Sequence, residues 1–142
     1  MRFAGLLIVG LTAAGCSTTA NLYPIQGPLS ARKPLPVIVA KANGITGNTG
    51  ELTLTMPDGE DCKGKWSSVA PTTGGVGTLF TQYGATAGFT FSGIQPGINK
   101  GQAFLTCDRG TTVEAEFFTG SGTANGFGVA RDSNKNVYKM LF

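Results

Sequence analysis

An all-β fold is what this sequence predicts: a small antiparallel β-sandwich or barrel of about eight short strands, reached after an N-terminal leader and a linker. Three observations lead there. Glycine supplies 22 of the 142 residues, threonine is abundant, and charged residues make up only 13%, a composition of strands and tight turns. Short runs alternate apolar and polar residues, the period of a half-buried strand. Turn-forming pairs such as Asn43-Gly44 and Asp58-Gly59 punctuate those runs, and no helical period is sustained over a useful length. The length suits one domain, large enough to bury about two-thirds of its unfolded surface.

The chain starts with a leader, expected over residues 1–15. Arg2 supplies one positive charge, Phe3 to Leu11 is an apolar run, and small residues follow at Ala13, Ala14 and Gly15. That layout is a secretory signal peptide, and the run is too short for a spanning helix, which needs about 20 apolar residues. Cys16 comes directly after Gly15. Ala13-Ala14-Gly15-Cys16 resembles the lipobox of bacterial lipoproteins, with Ala13 where leucine is commoner. The resemblance implies cleavage between Gly15 and Cys16, diacylation of the Cys16 sulfur (palmitate being a typical chain) and acylation of the new amino terminus. Two or more acyl chains anchor stably where one holds weakly. The residue after the cysteine is Ser17 rather than aspartate, which in that class implies the outer membrane of a Gram-negative cell. The expected address is the cell outer membrane, lipid-anchored and facing the periplasm.

Residues 16–36 then read as a lipidated N-terminus and proline-rich tether. Pro24, Pro28, Pro34 and Pro36 are four of the chain's seven prolines. Proline lacks the amide donor of a sheet interior and favours an extended spacer at about 3 Å per residue. Leu22, Tyr23, Ile25 and Leu29 are apolar enough for the segment to dock on the domain instead, and the two readings stay open.

The all-β domain is expected over 37–142. A β-branched run at 36–41 makes its first strand, and 51–56 alternates Leu52, Leu54 and Met56 against Thr53 and Thr55. Pro57-Asp58-Gly59 turns the chain. Cys62 and Trp66 share one face of the return and Lys63 and Lys65 the other, so the sole tryptophan reads as a core anchor. A loop is expected at 67–77, strands at 78–83 and 87–92, and a second loop at 93–101. The strongest hairpin joins 102–107 to 111–118 through Asp108-Arg109-Gly110, with Ala103, Leu105 and Cys107 on one face and Val113, Ala115 and Phe117 on one face of the return. Residues 119–126 are glycine-rich. Short strands at 127–130 and 137–142 flank a polar turn at 131–136.

Lipidation of Cys16 leaves Cys62 and Cys107, both beside hairpin turns. An oxidising periplasm favours a disulfide between them, which would close a 45-residue loop and in the chain-entropy model stabilise by about 4 kcal/mol. The alternative is two buried free thiols. A metal site has neither histidine nor a third thiol to complete it.

Chemistry-bearing constellations are few. The chain has no histidine, which removes Ser-His-Asp and Cys-His machinery. Glu60-Asp61 flanks a turn, and Glu114 with Glu116 lies on one strand face. A glycosidase-like pair needs two acids across a cleft, and a solvated strand face is the simpler reading. The stretch 120–128 matches neither a P-loop nor a dinucleotide fingerprint. Asp132-Ser133-Asn134-Lys135-Asn136 imitates the opening of a calcium loop, but lacks its sixth-position glycine and twelfth-position glutamate, and reads as a polar turn. Tyr83, Phe89 and Phe91 read mostly as core. No catalytic, cofactor-binding or metal-ligating residue is assigned, and no cofactor is expected.

The net charge is +3, too small to point to nucleic acid or a polybasic membrane patch. The expected partners are the membrane, through the lipid anchor, and envelope proteins or peptidoglycan. The expected role is a non-enzymatic structural or interaction module of the cell envelope. A second reading is a protein-binding inhibitor: Ser121-Gly122-Thr123-Ala124 is similar to the Ser/Gly-rich loop of periplasmic lysozyme inhibitors, some of which are small disulfide-bonded β-barrel lipoproteins.

Overall fold

A computed structural model of the chain describes residues 15–45, 47–69, 73–79, 87–94, 98–120 and 123–142; over 69–97 its description is of the backbone alone. The elements run β1 (Ser17–Gln26), a 3-10 turn (Pro28–Ala31), β2 (Ile38–Asn43), β3 (Thr49–Thr55), β4 (Asp61–Val69), β5 (Thr73–Leu79), β6 (Ala87–Ile94), β7 (Ile98–Cys107), β8 (Thr112–Gly120), β9 (Gly126–Asp132) and β10 (Val137–Leu141). Among the described residues, eight antiparallel strands close into a barrel in the order β1-β2-β3-β4-β7-β8-β9-β10, and β10 pairs back onto β1. Closure removes the two open edges a flat sheet would leave. Strands β5 and β6 form a separate two-stranded sheet, inserted in sequence between β4 and β7. Of the two predicted architectures, the chain adopts the barrel.

The alternation read from sequence decides what faces inward. Leu52, Leu54, Met56, Cys62, Trp66, Ala103, Leu105, Val113, Ala115 and Phe117 are all buried, whereas Lys41, Lys63, Lys65 and Lys139 are exposed. The apolar interior differs from that of a membrane-spanning barrel, which is polar inside; the exterior mixes these lysines with exposed Val39, Phe104, Phe127 and Leu141. Phe117 fits because its cross-strand neighbours on both sides are glycines, Gly101 and Gly128. A side chain at Gly101 would run into the Phe117 ring.

Three expectations change. Of the two readings left open for residues 16–36, spacer or docked segment, the chain adopts the docked one: the segment begins with β1, which lies between β2 and β10. Its inner face buries Ala20 and Leu22, enough apolar surface to outweigh the spacer character of a proline-rich composition. The proline penalty is confined to one place. Pro24, without an amide hydrogen, sits where the β1–β10 register shifts, between Pro24 and Gln26. Pro28 opens the 3-10 turn, where a missing donor costs nothing. The domain therefore starts at residue 17 and not at 37. The loop expected at 67–77 is shorter, because β4 runs on to Val69 and β5 begins at Thr73. The loop expected at 93–101 likewise gives way to β7 from Ile98. Glycine at 75, 77 and 101 reads as turn-forming locally, but cross-strand pairing holds all three in strands. The strand expected over 78–83 lies outside the described residues from 80 onward.

Candidate functional site

The two ends of the barrel are built from different residues. Around one end the inward positions are large: Leu22, Ile38, Leu105, Val113 and Tyr138 are each at most 2% exposed. Leu29 of the 3-10 turn folds under this end and joins the same core. A buried polar network holds it there. The Leu29 N–H donates to Asn136 Oδ1 at 2.9 Å, Asn136 Nδ2 donates to Asp132 Oδ2 at 3.0 Å, and the Tyr138 hydroxyl donates to Asp132 Oδ2 at 2.5 Å. Asp132 Oδ1 accepts from the backbone N–H groups of Asn134 and Asn136. Burial, followed by the neighbouring Asp132, pushes the Tyr138 hydroxyl far above its ordinary range. The segment that imitates a calcium loop is thus a turn whose carboxylate oxygens are taken up by the chain's own donors.

Glu60 laces the same end. It is 3% exposed, and its Oε2 accepts from the Arg109 N–H at 2.9 Å and from the Thr111 N–H at 3.4 Å. The Thr111 hydroxyl, then these two N–H groups, hold its carboxyl below the ordinary value of 4.5, against desolvation and the Asp58 charge. Asp61, its sequence neighbour, points away and accepts from the Thr55 hydroxyl at 2.7 Å. The 60–61 pair does not converge on a common point. The 114–116 pair is on the outer face of β8. Glu114 is bound by Arg131 at 2.6 Å across the β8–β9 ladder. Glu116 keeps one buried oxygen without a hydrogen-bond partner.

At the other end the inward positions shrink. Trp66, Ala103, Ala115 and Ala130 pair in one row across β4, β7, β8 and β9, and Ala20 and Ala42 face inward from β1 and β2. The barrel is therefore not filled here. An open cavity of about 600 Å³ lies among Ala20, Ala42, Trp66, Ala103 and Ala115, together with Leu52, Phe117, Met140 and Phe142. Eight strands enclose just enough space to be filled by side chains or to hold one small ligand. The alanines decide for the second. The rim is polar: Thr18, Asn48, Ser68, Asn99, Thr119 and Thr123 contribute, and among the described residues no Asp, Glu, Lys or Arg lines the cavity. The Trp66 indole N–H is tied to the Asn43 carbonyl oxygen at 2.9 Å, and the Phe142 ring meets Phe117 edge-on at 5.7 Å.

The residues singled out from sequence fall at both ends. Cys62 and Cys107 form the expected disulfide, joining β4 and β7 directly opposite one another at the filled end. Gly15 and Cys16 are exposed, and Cys16 is a free thiol on the rim of the cavity, one residue before β1. Tyr83, Ser121 and Gly122 lie outside the described residues, and Phe89 and Phe91 are in β6, where the description is of the backbone alone. Sequence reasoning missed the cavity. Trp66 was expected as a core anchor. It is only 8% exposed and packs in the hydrophobic core as expected, and it also forms part of the cavity wall. The available signal was the smallness of the inward alanines on facing strands, which becomes visible only once the register aligns them. Comparison with protein-family models, with curated proteins and with solved structures finds no significant match.

Proposed function

We propose that this chain is a lipoprotein of the cell envelope, anchored through Cys16 at the outer membrane, and that its barrel is a non-enzymatic interaction module. The observation that carries the reading is the position of Cys16: an exposed free thiol, directly after a lipobox-like run, at the point where the chain enters β1. The absence of a spacer matters. With Ser17 already paired to Asn43, acyl chains on Cys16 hold the open end of the barrel against the lipid surface. Among the described residues, no helix is long and apolar enough to cross a membrane, and lipidation would supply the attachment instead. The acids available for catalysis are committed to structural bonds or face outward, and none lines the cavity. These observations support binding over catalysis. Metabolic labelling with palmitate tests the anchor: the wild-type chain takes up label and Cys16→Ser does not. Equal labelling of the two would overturn it.

A second reading, a lysozyme-inhibitor-like protein, is favoured by the combination of an eight-stranded barrel and one disulfide. A turbidity assay of lysozyme activity on cell walls decides it, since an inhibitor slows clearing in proportion to its concentration.

A further inference from the structure

We infer that the barrel cavity binds one long-chain acyl group. This goes beyond the anchored-module reading and rests on it only for the source of the ligand. Four features point to that chemistry. The volume of about 600 Å³ falls in the range of small-molecule sites. It equals roughly twenty water-sized groups at ~30 Å³ each, enough for one acyl chain and too little for a folded peptide segment. The deep wall of Ala20, Leu52, Trp66, Ala103, Phe117 and Met140 offers almost no hydrogen-bonding partners. A sugar or peptide bound there would leave its polar groups unpaired at a cost no contact repays. Among the described residues the lining carries no charged side chain, so a charged head group meets no counter-ion from them. The neutral hydroxyl and amide groups of Thr18, Asn48 and Asn99 at the rim suit an ester or carboxyl group left at the water boundary. Finally, the opening is on the same end as Cys16, the residue read as the membrane anchor, so the cavity faces a source of acyl chains.

That source is either a chain of the membrane, as phospholipid or free fatty acid, or one of the acyl chains carried by Cys16 itself. The chemistry inside the barrel is the same in both cases. Tryptophan reports on it directly, because Trp66 is the only tryptophan in the chain and forms part of the wall. Bromine atoms quench indole emission at contact. The full chain carrying Cys16→Ser, which cannot be acylated, is titrated with dibromostearate. The expected result is saturable quenching at one equivalent per chain. Filling the cavity with Ala115→Leu should raise the half-saturation point by about tenfold or more, as expected when a few methylene contacts are displaced in an apolar pocket. Ala42→Leu, on the opposite wall, serves as a second filled variant if Ala115→Leu loses its cooperative urea transition.

The lipidated chain distinguishes the sources. Quenching of Trp66 in phosphatidylcholine vesicles with brominated acyl chains supports entry of a membrane lipid. Resistance of the lipidated chain to dibromostearate, under conditions that quench Cys16→Ser, supports occupancy by its own acyl chain. Absence of quenching in Cys16→Ser, or equal quenching in both filled variants, overturns the inference. The anchor and the cavity fail separately: unlabelled Cys16 in the palmitate experiment would remove the anchor while leaving acyl binding by Cys16→Ser intact.

Discussion

Asp132 shows how much one residue can carry. Both its oxygens are used, Oδ1 by two backbone N–H groups and Oδ2 by Asn136 Nδ2 and the Tyr138 hydroxyl. Asp132→Asn places an amide donor where two donors already point. A buried donor left unsatisfied costs about 1–3 kcal/mol, so Asp132→Asn is expected to lose about 2 kcal/mol or more in urea unfolding. Tyr138→Phe, which leaves only acceptor capacity unused, should lose about 1 kcal/mol. Reversal of that order would show that the hydroxyl, not the carboxylate, organises the turn. Glu60 makes a prediction in pH. Its carboxyl titrates lower in the folded chain than in the unfolded one, so the unfolded chain takes up its proton first on acidification. The stabilisation is present above the ordinary value of 4.5 and is lost as pH falls through the folded-state value. Wild type should therefore be more stable than Glu60→Gln at neutral pH, and the gap should close as the pH is lowered, measured by urea midpoints across an acid series. The structural use of Asp132 and Glu60 was not legible in the sequence. Each looked like part of a polar turn, and their partners lie partly far along the chain: Arg109 for Glu60, and Leu29 through Asn136 for Asp132.

Among the elements, β1 is the one whose meaning depends most on the rest of the barrel. By composition it is a proline-bearing, weakly alternating segment, and a spacer is a fair reading of it. Its pairing with both β2 and β10 makes it the strand that closes the barrel. Deletion of residues 17–26 separates the alternatives. A spacer could be removed with the domain intact, whereas loss of a closing strand exposes the inner faces of β2 and β10 together with two unpaired edges. The deleted chain is expected to lose its cooperative thermal transition by circular dichroism and to aggregate. The β7–β8 hairpin is the opposite case. Its alternation, its Asp108-Arg109-Gly110 turn and its inward residues were all readable, because a hairpin is set by neighbours in sequence. Gly110 takes the positive φ of 92° that the turn demands.

At the scale of the whole molecule, the barrel is asymmetric along its axis. One end is filled, tied by buried hydrogen bonds and bridged by Cys62–Cys107; the other is open and lined by alanines. The disulfide closes a 45-residue loop, which contains the β5–β6 sheet and spans the step from β4 to β7. Loop-closure entropy gives it about 4 kcal/mol of stabilisation. Reduction, or the paired change Cys62→Ala with Cys107→Ala, should lower the unfolding free energy by about that amount in urea. Because the bridge is at the filled end, the same change should leave the open cavity in place. Acyl binding measured through Trp66 should then persist at urea concentrations below the new midpoint.

The sequence by itself determined the class of fold, the inward and outward faces of most strands, the cysteine pair and the lipobox-like start. These follow from a period of two, from local turn chemistry and from short motifs, all of which act between near neighbours. Only the tertiary structure decided that the sheet closes into a barrel, that the proline-rich segment is its closing strand, and that Trp66 borders a cavity. Closure depends on pairing between β1 and β10, which stand at opposite ends of the chain. A cavity is a sum over side-chain volumes contributed by many strands at once, so no single stretch of sequence contains it. Cys16 illustrates both levels: its motif is local, but its place on the rim of an apolar barrel is known only from the fold.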